Sequence, residues 1–224
     1  MELHGLPNDI LPNIDPITII ILIPLLDRLI YPFIRTRLHL AFTPVTRITW
    51  GFLISSLAMA YAAGLQSRIY SMPPCYTAPS KCPAGKTGED RYAPNTIHVA
   101  WQAPAYILVA LAEILASITG LEFAYTKAPE NMKSFIMSLF LLTSALGSAL
   151  GIFIAPLAKD PRLVWMYAAL AGTSALAGCV FYWTFRGLDA RERPRLVESA
   201  EEEFELERRS EGRARDEVYS GRDV

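Results

Sequence analysis

WQAPAYILVALAEILASITGLEFAYTKAP, Trp101 to Pro129, is long enough to cross a bilayer and carries a carboxylate, Glu113, near its middle. An acid at that depth is costly in hydrocarbon, so it is expected to face a protein-lined cavity and to have a task there. At about 100° of turn per residue, Gln102, Tyr106, Glu113, Ser117 and Gly120 fall on one side of this helix. Ile107, Leu108, Leu111, Ile114, Leu115 and Ile118 cover the remainder. Such a cylinder has lipid and neighbours on most sides and a wet, polar space on one. The competing reading is a buried structural carboxyl, protonated or paired. The other hydrogen-bonding groups on the same stripe favour the functional reading.

Working outward, the 224 residues are 52% apolar and 19% charged, but these averages mix two unlike parts. Ile14 to Phe185 is a string of apolar runs, whereas Arg186 to Val224 is dense in Arg and Glu. Five candidate spans follow from length and hydrophobicity, near residues 15–34, 48–66, 99–125, 134–158 and 162–185. Pro24 interrupts the first, and Asp27 with Arg28 sits inside it, so a buried or re-entrant segment is its alternative. The expected fold is therefore an all-α membrane protein of about five transmembrane helices. A polar N-terminal loop (1–13) precedes a helical bundle (14–186) with an outer loop (67–98), and a charged tail (187–224) follows. That tail reads as mobile and solvated, with a short helix as the alternative.

Charge sets the expected orientation. Arg35, Arg37, Arg47, Lys127, Lys133, Arg186, Arg191, Arg193 and Arg195 lie on one side of a five-span bundle. They exceed Arg68, Lys81, Lys86, Arg91, Lys159 and Arg162 on the other, which places the C-terminus in the cytoplasm. Met1 to Asp9 is short and polar and does not read as a signal peptide, so insertion is expected to rely on the spans. The net charge of −1, with no basic patch interleaved with aromatics, argues against a nucleic-acid partner.

The outer loop holds CYTAPSKC, and a Cys75–Cys82 disulfide is expected where the exterior is oxidising; reduced loop cysteines are the alternative. Cys179, within an apolar run, reads as a small packing residue. SALGSALG, Ser144 to Gly151, offers Gly147 and Gly151 for close helix packing in lipid. On the same span Phe140 and Ser144 share a face and are candidates for a cavity wall. No phosphate loop, HExxH, GxSxG or metal-ligand spacing is present, so neither an enzyme nor a metal centre is expected. An intramembrane enzyme would need a second catalytic group near Glu113, and none is evident.

GLEFAYTKAPENMKS, Gly120 to Ser134, preceded by Glu113 and followed by LLTSALGSALG, resembles the proton-dependent oligopeptide transporter (POT/PTR) family of the major facilitator superfamily. IDPITIIILIPLLDRLIYP, Ile14 to Pro32, is similar to that family's eighth helix, and FYWTFRGLD, Phe181 to Asp189, to the end of its twelfth. The resemblance implies that the five spans correspond to helices eight to twelve and that the first seven are not in this chain. It implies that Glu113 pairs with a peptide's α-amino group, while Tyr106 and Ser117 share its stripe. Phe140 takes the place where many members have a pocket-shaping Trp, and Asp15 the place of an Asn that often contacts peptide.

The function so implied is that of the C-terminal part of a proton-coupled di- and tripeptide symporter in the plasma membrane, supplying half of the substrate cavity. Small peptides, membrane lipid and a separate N-terminal half are its expected partners. The proton is the coupling ion, and no other cofactor is implied. A transport-inactive truncated fragment or a regulatory membrane protein is the alternative.

Overall fold

Thr43 and Pro44 start the helix against which the others are arranged. The Thr43 hydroxyl accepts from the Thr46 backbone N–H at 3.3 Å, and Pro44 occupies the first turn, where its missing N–H has no cost. The computed structural model describes residues 10–31, 33, 43–73, 76 and 97–220. Its α-helices are α1 (Ile10–Leu25), α2 (Pro44–Tyr70), α3 (Ala103–Glu113), α4 (Thr119–Lys127), α5 (Lys133–Ile154) and α6 (Leu163–Ser220). Two wide π turns, Leu26–Ile30 and Ile114–Ile118, prolong α1 and join α3 to α4. α2 packs against α3, α4 and α6, and α1 packs against α3.

Four described helical stretches are long and apolar enough to cross a membrane: Pro44–Tyr70, Val99–Lys127, Glu130–Leu157 and Leu163–Arg191. They match the second to fifth expected spans. α1 is not among the four; it contains Pro16 and Pro24, and its wide turn carries Asp27 and Arg28, both exposed. Proline removes a backbone donor inside a helix. The chain nevertheless continues as a helix into that turn, where the Tyr31 N–H reaches the Leu26 carbonyl.

α2 and α6 run antiparallel and are joined by side-chain bonds along their length. At one end the hydroxyls of Thr43 and Thr46 donate to Asp189 Oδ1, the second at 3.2 Å. Near the middle Ser174 donates to the Phe52 carbonyl at 3.0 Å and Ser56 to the Ala171 carbonyl at 2.8 Å. At the far end the Tyr70 hydroxyl donates to Asp160. Each side-chain bond to a helix carbonyl adds a directional link where lipid supplies no hydrophobic drive, on the order of 1 kcal/mol. Gly178 lets the helices touch: a Cβ there would lie 2.8 Å from Phe52 Cβ. Ser174 and Gly178 of the last span thus have definite partners on α2.

α5 differs from its neighbours. It packs on α4 and its own flanking turns, and none of its residues is buried. The close packing expected at SALGSALG is not made among the described residues: a Cβ at Gly147 or Gly151 meets nothing of theirs within 4 Å. Cys179, expected to pack, is exposed. Cys75 and Cys82, and with them the expected disulfide, lie outside the described residues.

The charged tail departs from expectation, because α6 extends without a break through 58 residues, past Pro194 to Ser220.

Candidate cavity-lining site

The segment that carries the acid begins at His98, whose Nδ1 accepts the Ala100 N–H at 3.1 Å and caps the single turn Val99–Gln102. Pro104 follows in the first turn of α3, and Ala128, held extended before Pro129, ends α4. Glu113 is the last residue of α3. It is exposed, although both neighbours in sequence, Ala112 and Ile114, are buried. Ala112 and Ala116 face α2, where Gly51 allows close approach. Glu113 stands one residue, about 100°, around the cylinder from Ala112 and so points away from that contact.

Wide turns of this kind recur at functional positions in helices. The turn after Glu113 is closed by the Thr119 backbone N–H reaching back to the Ile114 carbonyl, and the Thr119 hydroxyl donates to the same oxygen at 3.3 Å. Ser117, inside the turn, is exposed, and Tyr106, two turns before Glu113, is half-buried. The expected stripe from Tyr106 to Ser117 thus lies on one continuous helical segment. Gly120 leaves it, because the wider turn rotates whatever follows. A Cβ at Gly120 would lie 3.9 Å from Ile48 Cδ1, on the α2 side.

Asp15 lies on α1, the helix beside α3; it is half-buried, and its Oδ1 is buried with no hydrogen-bond partner among the described residues. Phe140 is half-buried and Ser144 exposed on α5, which packs on α4 and not on the stretch before Glu113. The structure therefore sets Glu113, Tyr106 and Ser117 on one element and Asp15 on its neighbour, while Phe140 and Ser144 stand apart. An open groove of about 410 Å³ between α2 and α6, lined by Phe52, Met59, Leu170 and Thr173 among others, contains none of these residues.

Cations cluster on aromatic rings at one end of the helices. Arg47 lies 4.1 Å from the Tyr31 ring centre, Lys133 5.2 Å from Tyr125, Arg186 5.3 Å from Trp183 and Lys127 5.8 Å from Phe123. These are the ends that sequence charge assigned to one side, and amphipathic rings beside cations suit a membrane–water boundary.

A profile of the POT family matches residues 1–172. The chain belongs to the POT family. This POT-family chain is 56% identical over 195 residues to the peptide transporter PTR_C of Candidozyma auris, covering 86% of this chain and 32% of that one. It is 46% identical over 207 residues to the peptide transporter PTR2 of Saccharomyces cerevisiae, covering 92% of this chain and 33% of that one. Among solved structures it resembles the POT family transporter PepTSo, with a TM-score of 0.60, 24% identity, and coverage of 79% of this chain and 33% of that one. An auto-inhibited POT family peptide transporter gives a TM-score of 0.58 at 27% identity, over 80% and 32% of the two chains. The chain thus spans about a third of the length of each of these relatives. It is an integral membrane protein of a transporter family.

Sequence reasoning missed Gly51, Thr119 and the residues that lock α2 to α6. The Thr43–Pro44 start of α2 lies four residues before the span expected from residue 48. The wide turn after Glu113 left no local signal, since ILASI is as compatible with an ordinary helix.

Proposed function

We propose that this chain is the C-terminal part of a proton-coupled symporter of di- and tripeptides and supplies half of the substrate cavity. The observation that carries the reading is Glu113, an exposed carboxylate within an apolar helical stretch long enough to span a membrane. Family membership and relatives that are peptide transporters support a peptide as the substrate. In low dielectric the ionised acid is costly unless a cation neutralises it. Glu113 then holds either a proton or the α-amino group of a peptide, and binding and protonation become linked. Tyr106 and Ser117 line the same wall, Asp15 offers an unpartnered carboxylate oxygen beside it, and Phe140 and Ser144 contribute from α5 once the cavity is complete. The proton is the only coupling ion in this scheme.

The membrane concerned is the plasma membrane, with the C-terminus in the cytoplasm, a direction supported by the cation–aromatic pairs gathered at one end. Alternating access needs two bundles moving about a midplane site, so an N-terminal half is the partner this function requires. The test is Glu113→Gln in the chain joined to the N-terminal portion of the Saccharomyces cerevisiae relative. Surface expression is expected to persist while uptake of labelled dipeptide falls at least tenfold, and undiminished uptake rejects the role.

A second reading, a transport-inactive or regulatory membrane fragment, is favoured by α5, which buries none of its residues in this chain. Co-expression separates the two. Uptake that needs both halves supports a transporter part, and no restoration supports the fragment.

A further inference from the structure

We infer that Gly51 is a positioning residue for Glu113, acting through the wide turn that follows it, with Thr119 as its accomplice on the other side of that turn. The inference rests on the role proposed for Glu113, and its physical content is about direction. α2 meets the third span where the backbone widens: a Cβ at Gly51 would lie 2.7 Å from both the Cβ and the backbone nitrogen of Ala116, and 3.0 Å from the Ala112 carbonyl oxygen. Two of these three atoms are backbone, so no side-chain rotation relieves the crowding. Ala112 immediately precedes Glu113, and Ala116 lies inside the wide turn Ile114–Ile118.

Any shift of α2, and of Gly51 with it, away from Ala112 and Ala116 therefore releases both flanks of the acid at once. On the opposite side of the turn, Thr119 is 5% exposed and spends its hydroxyl on the Ile114 carbonyl at 3.3 Å. That carbonyl already accepts the Thr119 N–H across the turn, and the hydroxyl ties the same residue to it a second time. Pressed by a residue without a side chain and tied by a buried hydroxyl, the turn is held in one register. That register decides that Glu113 leaves the cylinder on the open side, away from α2. An ordinary helix through the same residues would rotate Ser117 and everything beyond it relative to Glu113.

The test has two readouts. The first reports direction alone: Glu113→Cys, in a background with the native cysteines replaced, is labelled by a water-soluble maleimide in membranes holding the chain joined to the N-terminal portion of the Saccharomyces cerevisiae relative. Adding Gly51→Ala is expected to change the labelling rate at least fivefold. Thr119→Val is expected to change it in the same direction by a smaller factor, and Thr119→Ser to leave it within twofold. The second readout is uptake with Glu113 intact, where Gly51→Ala is expected to raise the KM for dipeptide about tenfold with surface level and maximal rate little changed.

Should Gly51→Ala fail to reach the membrane, Thr119→Val and Thr119→Ser carry the comparison. Labelling that is indifferent to both Gly51→Ala and Thr119→Val overturns the inference. Labelling that responds while Glu113→Gln transports normally supports the positioning and overturns the substrate role instead.

Discussion

Asp189 is 4% exposed and receives the hydroxyls of Thr43, which is wholly buried, and Thr46. A buried carboxylate survives when its lone pairs are occupied, and removing it strands the donors it satisfied. Asp189→Ala is therefore expected to cost about 1–3 kcal/mol, read as a lowered thermal midpoint in detergent. Asp189→Asn, which keeps an acceptor oxygen, should lose less. Equal midpoints for the Ala variant and the parent would show that the hydroxyls find other partners. The buried Oδ1 of Asp15 has the opposite status: nothing among the described residues satisfies it. Asp15→Asn should hence leave stability nearly unchanged while altering uptake in the joined transporter, a contrast with Asp189 that the two assays separate.

At the scale of elements, two glycines of α6 have the same sequence character and different surroundings. A Cβ at Gly178 would meet Phe52 Cβ at 2.8 Å, whereas one at Gly172 meets nothing within 4 Å. Gly178→Ala forces α2 and α6 apart and is expected to cost about 1–3 kcal/mol, the range for overpacking. Gly172→Ala should be neutral or stabilising by up to about 1 kcal/mol, since Ala is the better helix former. Thermal midpoints of the two variants, measured side by side, check the register of the pair. Reversal of the order would mean that α6 is rotated relative to α2. The same comparison shows why small-residue patterns are weak guides: Gly147 and Gly151 had the clearer motif, yet the contact is made at Gly51 and Gly178.

For the whole molecule, the packing is lopsided. α2 is bordered by α3, α4 and α6, while α5 has no buried residue despite the apolar length of a span. A helix this bare gains stability when a partner covers it, because close contact with another helix replaces looser lipid packing. Co-expression with an N-terminal half is thus expected to raise the yield of folded chain as well as to restore uptake, and fluorescence-detected size exclusion would read the first independently of the second. An unchanged yield would mean that α5 is already content in lipid.

Hydrophobic length, the prolines and the GLEFAYTKAPENMKS string carried the class of the protein, four of its spans and its family, because apolar runs of that length have few soluble alternatives. The placing of Tyr106, Glu113 and Ser117 along one apolar stretch was readable too, since the run that carries them is continuous in sequence. Which helix becomes the centre of packing, the departure of Gly120 from the stripe, the wide turn after Glu113 and the distant pairings Thr43 with Asp189 and Tyr70 with Asp160 came only with the tertiary structure. Each of these depends on where two helices touch, and in lipid that is decided by shape and hydrogen bonding between surfaces that look alike in sequence.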